Sequence, residues 1–241
     1  MSRKRIARTT GDADGIGLEV TAKALHHLGP QPQTQFIMWR SEGASDNYLK
    51  LIDKKFERIV VDSLSEALKV TGPYLIDIAS DDPPAHWVET SAKACVKKKL
   101  HAMATAPLSK TSIQEAGYKD LGHTDILKRV SKTRHVHMGF LGNKFNVVLA
   151  TAHIPVRDIS KHLSFRTLAE ALLNANDLRR KLPAAQAKKP IGILGLNPHA
   201  GEQGLIGQEE LLFFPELISF AKEKKMSCQA EMYALIRGRP R

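Results

Sequence analysis

Three short stretches of this sequence carry residue types that could do chemistry. Gly122-His123-Thr124-Asp125 sets an imidazole beside a hydroxyl just before an apolar helical pattern starting at Ile126. Free backbone amides at a helix start would then point outward next to both, a corner suited to a phosphate or a substrate hydroxyl. The same residues also read as an ordinary helix cap, with Thr124 or Asp125 capping and His123 in the loop. His153, in Ala-Thr-Ala-His-Ile-Pro, and His199, in Asn-Pro-His-Ala-Gly-Glu, each follow an apolar strand-like run, 147–150 and 191–196. Ligands of open α/β sheets gather outside the carboxyl ends of strands, so histidines on such proline-stiffened loops can converge on one metal ion. A catalytic zinc takes three protein ligands and keeps one position open, so two imidazoles are an incomplete set, and a loop histidine alone is as well explained by structure or solvation.

Gly11-Asp-Ala-Asp-Gly-Ile-Gly17 joins a strand to a helix, where glycines allow a sharp turn and close approach of an anion. As a dinucleotide fingerprint it fails, because Val20 stands where a third glycine belongs and Asp12 and Asp14 would repel a pyrophosphate. No phosphate-cradling GxxxxGK[ST] run occurs, which leaves NTP hydrolysis without support. Lys110 is a candidate positive charge for a phosphate, or simply a surface lysine at a helix start.

These residues need a frame. Short β-rich runs alternate with longer amphipathic ones, the pattern of an α/β protein with a largely parallel sheet. Strands are predicted at 5–9, 36–39, 58–61 and 191–196, and helices at 18–28, 84–100, 109–116, 167–182 and 208–224, with Ser109 as a cap and Gly117 as a stop. Two apolar runs around Gly142-Asn143 predict an antiparallel hairpin within 136–152. A division near 122–127 predicts a first α/β lobe over 1–125 and a second over 126–225.

The chain has 241 residues, 42% hydrophobic and 25% charged, a globular composition. Lys and Arg number 36 against 25 Asp and Glu, a net charge of +11 that favours anionic partners. Without aromatic interleaving or a recognisable motif, that surplus does not argue for nucleic acid. No apolar run is long enough to span a membrane and the basic start lacks a secretion signal's apolar core. Cys95 and Cys228 are far apart with no CxxC, which excludes a disulfide framework and fits a reducing, cytoplasmic setting.

Taken together, GDADGIGLEV at 11–20, ATAPLSK at 104–110, GHTDIL at 122–127, ATAHIPVRDIS at 150–160 and GLNPHAGEQGLIGQEE at 195–210 resemble the 4-hydroxythreonine-4-phosphate dehydrogenase family of pyridoxal phosphate biosynthesis. The likeness spans about 4–222. It implies a homodimer of two-lobed subunits with the isocitrate/isopropylmalate dehydrogenase-like fold, using NAD without a Rossmann domain. By the same resemblance His123 and Thr124 bind the phosphorylated substrate, and His153 and His199 bind a divalent metal, zinc in the first instance. The implied reaction oxidises the secondary alcohol of 4-phosphooxy-L-threonine to a β-keto acid, whose decarboxylation gives 3-amino-2-oxopropyl phosphate. A metal on that hydroxyl would lower its pKa and later stabilise the enolate.

The sequence departs from the family at Ala13, Asp14 and Leu18, where members carry Pro, Ala and Pro. Members also run on well past position 225, supplying a third metal histidine, basic substrate ligands and much of the NAD site. The fold is therefore expected to be C-terminally incomplete, with 226–241 an unrelated basic tail, little or no dehydrogenase activity and weak zinc binding. Two alternatives stand beside this: a paralogous dehydrogenase of another four-carbon phosphorylated acid, such as a threonate or erythronate phosphate, and a non-catalytic remnant.

Overall fold

The computed structural model describes residues 3–133 and 136–230. The chain divides after residue 134 into two compact units.

In the first unit, β1 (Lys4–Thr9), α1 (Gly17–Leu28), β2 (Thr34–Arg40), α2 (Asp46–Asp53), β3 (Arg58–Val61), α3 (Leu64–Ala67), β4 (Leu75–Ala79), α4 (Pro84–Val96), β5 (Ala102–Thr105), α5 (Lys110–Glu115) and α6 (His123–Ser131) follow one another. The strands form one sheet in the order β3-β4-β2-β1-β5, every pair parallel. Burial on both faces is what a parallel sheet needs, and the sequence supplies it by alternation. Ala7, Ile37, Trp39, Ile76 and Ile78 join one core with Trp87 of α4, while Phe36, Met38 and Leu75 join another with Ala22 and Leu25 of α1 and Ile52 of α2.

The second unit contains β6 (Gly139–Leu141) and β7 (Asn146–Val148), a 3-10 turn at Val156–Asp158, α7 (Ile159–His162), α8 (Phe165–Arg180), α9 (Ala184–Ala187), β8 (Ile191–Ile193), a second irregular turn at Pro198–Gly204, α10 (Glu209–Glu223) and β9 (Cys228–Ala230). β6 and β7 form the expected antiparallel hairpin, shortened to Gly139↔Val148 through Leu141↔Asn146. Ala169, Leu172, Leu217, Ala221 and Met226 make this unit's core.

The expected domain limits need two corrections. A boundary after residue 125 would cut α6, whose Ile126 is fully buried against Ala85 and Val88 of α4 and Ile113 of α5, so the division falls at 134 instead. The expected tail at 226–241 begins with core residues. Lys225 turns the chain at φ 53°, Met226 is buried against Ala221, and β9 then pairs in parallel with β8. The rest of that segment, 231–241, lies outside the described residues. No helix among the described residues is long and apolar enough to cross a membrane.

Candidate functional site

In the first unit, three of the singled-out segments meet beyond the carboxyl end of β1. Gly11, at φ 71°, lies so close to the loop after β5 that an added Cβ would stand 1.9 Å from the Pro107 carbonyl oxygen. Gly17 is equally constrained, its Cβ position being 1.8 Å from the Thr10 carbonyl oxygen and 2.8 Å from the Ala106 Cβ. These glycines therefore serve chain-to-chain packing, which accounts for the failed dinucleotide fingerprint. Asp12 completes the junction: its Oδ2 accepts the Ser109 backbone N–H at 2.7 Å. Ser109 in turn caps α5, its Oγ accepting the Ser112 N–H at 3.0 Å. Replacing Gly11 by alanine is expected to push the two loops apart and lower the unit's stability by about 2 kcal/mol, from the positive φ and the overlap together. A chemical denaturation series measures it.

His123 opens α6 beside this junction. It is half-buried, its Nε2 is buried without a hydrogen-bond partner, and burial pushes its pKa below the ordinary value while the Asp12 carboxylate works the other way. Thr124 follows in the first turn and is exposed. Asp125, inside the first turn, accepts the Leu121 N–H at 3.0 Å, but the helix N-cap is Gly122 with no side-chain cap bond, so the expected capping by Thr124 or Asp125 with His123 in the loop is not what the structure has. The helix is anchored on α4 by Arg129, which donates to Glu89 at 2.6 Å and to Asp120 at 2.8 Å. Arg129, with Tyr118 and Lys93 and against burial, holds the Glu89 carboxyl down to about 2. Lys110, the first residue of α5, is exposed.

A cleft of about 250 Å³ opens at the carboxyl ends of β1, β2 and β4, lined by Asp12, Asp14, Ser41, Asp81, Asp82 and Trp87 among others. Four carboxylates there, Asp12, Asp14, Asp81 and Asp82, repel phosphate.

In the second unit the two histidine-bearing segments are tied together by α10. Glu209 accepts from the Ser160 hydroxyl of the 150–160 segment and from Asn197 Nδ2 of the 195–210 segment, the latter at 2.7 Å. Ser160 first and Asn197 second keep its carboxyl below the usual range. Glu210 is 1% exposed and accepts both the Asn197 backbone N–H, at 2.7 Å, and its Nδ2, at 2.9 Å. That clamp holds an unusual turn. His199, Ala200, Gly201, Glu202 and Gln203 all have left-handed backbone angles, φ 53°, 51°, 80°, 44° and 56°. Each non-glycine residue in that region costs about 1–2 kcal/mol, so the turn stands only because its surroundings impose it. His153 is left-handed too, at φ 56°, and both histidines are exposed.

Among the described residues no three His, Cys, Asp or Glu side chains group to hold a metal ion. The sequence reading missed Glu209 and Glu210 as the residues that organise these loops. The Glu-Glu pair closing the 195–210 segment was the available signal, since two adjacent acids at a helix start can bond to a preceding loop.

A family profile for the pyridoxal phosphate biosynthetic protein PdxA matches residues 37–234. A 4-hydroxythreonine-4-phosphate dehydrogenase of a Sulfurihydrogenibium species is 31% identical over 86% of this chain and 67% of its own length. Another, from Wigglesworthia glossinidia brevipalpis, is 38% identical over 90% of this chain and 69% of its own. The chain thus spans about two thirds of these relatives. A crystal structure of a 4-hydroxythreonine-4-phosphate dehydrogenase from Burkholderia phymatum superposes with a TM-score of 0.76 at 22% identity, covering 95% of this chain and 74% of that one, which shows a common fold.

Proposed function

From the premise that this chain belongs to the PdxA family of pyridoxal phosphate biosynthetic proteins, we propose that its reaction is the NAD-dependent oxidation and decarboxylation of 4-phosphooxy-L-threonine to 3-amino-2-oxopropyl phosphate, in a cytoplasmic homodimer. The family match supports an oxidoreductase of the 4-hydroxythreonine-4-phosphate dehydrogenase type. The structural observation that carries the reading is the joining of the 150–160 and 195–210 segments through Glu209, because it organises the two loops that bear His153 and His199 around one helix start.

On this reading His123 and Thr124 receive the substrate phosphate at the start of α6, where backbone amides and an imidazole supply donors and the acidic cleft offers none. Binding the phosphate away from the reacting carbon turns binding energy into orientation. His153 and His199 are proposed as two ligands of a divalent metal, zinc by family resemblance. The described residues do not complete a three-ligand set, so the fit is partial and no chemical step is assigned to the ion. That partial fit favours a second reading, a non-catalytic member that binds phosphorylated ligand but holds zinc weakly.

The test is NADH formation by the purified chain given NAD, zinc and 4-phosphooxy-L-threonine, with threonate and erythronate phosphates in parallel and zinc retention measured after gel filtration. Turnover of the amino substrate is the expected result for the enzyme reading. Preference for a hydroxy acid would transfer the assignment to a paralogous dehydrogenase. No turnover of any substrate, together with loss of zinc, would establish the non-catalytic reading.

A further inference from the structure

We propose that the acidic cleft at the carboxyl ends of β1, β2 and β4 is a binding site for a small organic cation, a protonated amine that also carries an uncharged oxygen such as a hydroxyl. The reaction proposed above assigns no role to these residues, so the site does not depend on it. Asp12, Asp14, Asp81 and Asp82 line the cleft and no Lys, Arg or His does, in a chain whose net charge is +11. None of the four forms an ion pair among the described residues. One sign of charge gathered between low-dielectric walls draws in the other. Trp87 identifies the second half of the guest. It lines the same cleft at 2% exposure, and its one polar atom, the indole Nε1, is buried without a hydrogen-bond partner. Asp12 Oδ1 is likewise buried and unpartnered, while Oδ2 is held by the Ser109 N–H. The cleft residues thus hold an unused donor and an unused acceptor besides their charge, and such groups are costly to leave unpaired.

The spacing of the carboxylates decides against a metal ion, since among the described residues no three His, Cys, Asp or Glu side chains group to hold one. An ammonium needs no such convergence. Its N–H donors can go to separate carboxylates, Asp12 Oδ1 among them, while a neutral oxygen on the same molecule accepts the Trp87 N–H. A volume of about 250 Å³ limits the guest to a small molecule. The walls are fixed in advance, which lowers the cost of binding. Ser80 Oγ accepts the Asp82 backbone N–H at 3.1 Å, Pro83 and Pro84 stiffen the entry to α4, and the Gly15 N–H closes the Asp12 turn on the Asp12 carbonyl. Acids preceding a helix also complement its dipole, which accounts for Asp81 and Asp82 at the start of α4. It accounts for neither Asp14, on another loop, nor the idle indole N–H.

The experiment follows the Trp87 indole N–H, one of two indole signals in this chain, by nitrogen–proton NMR during titration with ethanolamine at low salt. A saturating shift is expected, with affinity about fivefold above that of ethylamine, which lacks the oxygen, and further above that of ethylene glycol, which lacks the charge. The double variant Asp81→Asn, Asp82→Asn should bind ethanolamine about tenfold more weakly. The proposal is overturned by the lack of a saturating shift, by equal affinity for ethylamine, or by unchanged affinity in a double variant that melts like the parent. Magnesium chloride that displaces ethanolamine beyond what sodium chloride of the same ionic strength does would also overturn it, by making this a metal site. Should the double variant fail to fold, salt decides in the unmodified chain. Raising the ionic strength about tenfold must weaken the binding, and a salt-independent affinity overturns the proposal.

Discussion

Replacing Asp77 by alanine is expected to destabilise the first unit by about 3–5 kcal/mol, enough to unfold a domain of ordinary marginal stability. Asp77 lies in the middle of β4 and is fully buried, with Oδ2 accepting from Arg40 Nε at 3.0 Å and from Arg58. It therefore joins three adjacent strands, since Arg40 ends β2 and Arg58 begins β3. Arg58 has a second partner in Asp53 at 2.9 Å, but Arg40, with a side chain only 9% exposed, has Asp77 as its sole carboxylate among the described residues. Its remaining bonds, to the Ser41 and Glu42 carbonyls, leave the charge uncompensated. A urea denaturation curve measures the loss. Combining Asp77→Leu with Arg40→Met should recover a large part of it, because removing both buried charges costs far less than removing one; no recovery would mean the ion pair is not the source.

Glu210→Ala should cost about 1–3 kcal/mol in the second unit by leaving the half-buried Asn197 backbone N–H without its acceptor and its Nδ2 with Glu209 alone. The larger consequence is local, since this carboxylate is what opposes the strain of the left-handed turn at 199–203. Hydrogen exchange at the amides of Ala200, Leu205 and Ile206, whose bonds close the turn, is expected to accelerate more than exchange in α8. Acid should mimic the substitution. Burial pushes the Glu210 carboxyl up, but the bonds from Asn197 and the neighbouring backbone amides outweigh it and the folded value is depressed. The stabilisation is accordingly complete above about pH 4, the unfolded value of a glutamate, and is lost as pH falls through the lower folded value. A turn that exchanges at the same rate in Glu210→Ala and in the parent would show that the clamp is unnecessary.

The sequence pattern revealed the elements whose side chains alternate cleanly and hid those that carry an internal exception. β3 was legible to the residue, and Ser109 as cap with Gly117 as stop framed α5 correctly, because capping chemistry is local. β4 was not predicted. Its Leu-Ile-Asp-Ile-Ala run places a charge at the centre, and only the tertiary pairing with two arginines makes a buried aspartate tolerable there. β9 was missed for the opposite reason: Cys228 and Gln229 lie in a basic stretch with no pattern of their own, and the strand exists through its parallel register with Ile191 and Gly192. His123, Thr124, His153 and His199 were singled out from motif and strand position, and they stand as the proposed site residues. Asp12 was read as a group that repels phosphate, and its hold on Ser109, 97 positions away, could not be inferred from spacing.

The turn at 199–203 also bears on handedness as a chemical variable. Four successive side chains around Gly201 are carried by a backbone winding in the sense natural to mirror-image amino acids. Were the segment assembled by peptide ligation with D-alanine at position 200, the inverted centre would match the local coil and relieve strain of about 1–2 kcal/mol. Chirality there works against the conformation that displays His199, and it falls to α10 to enforce it.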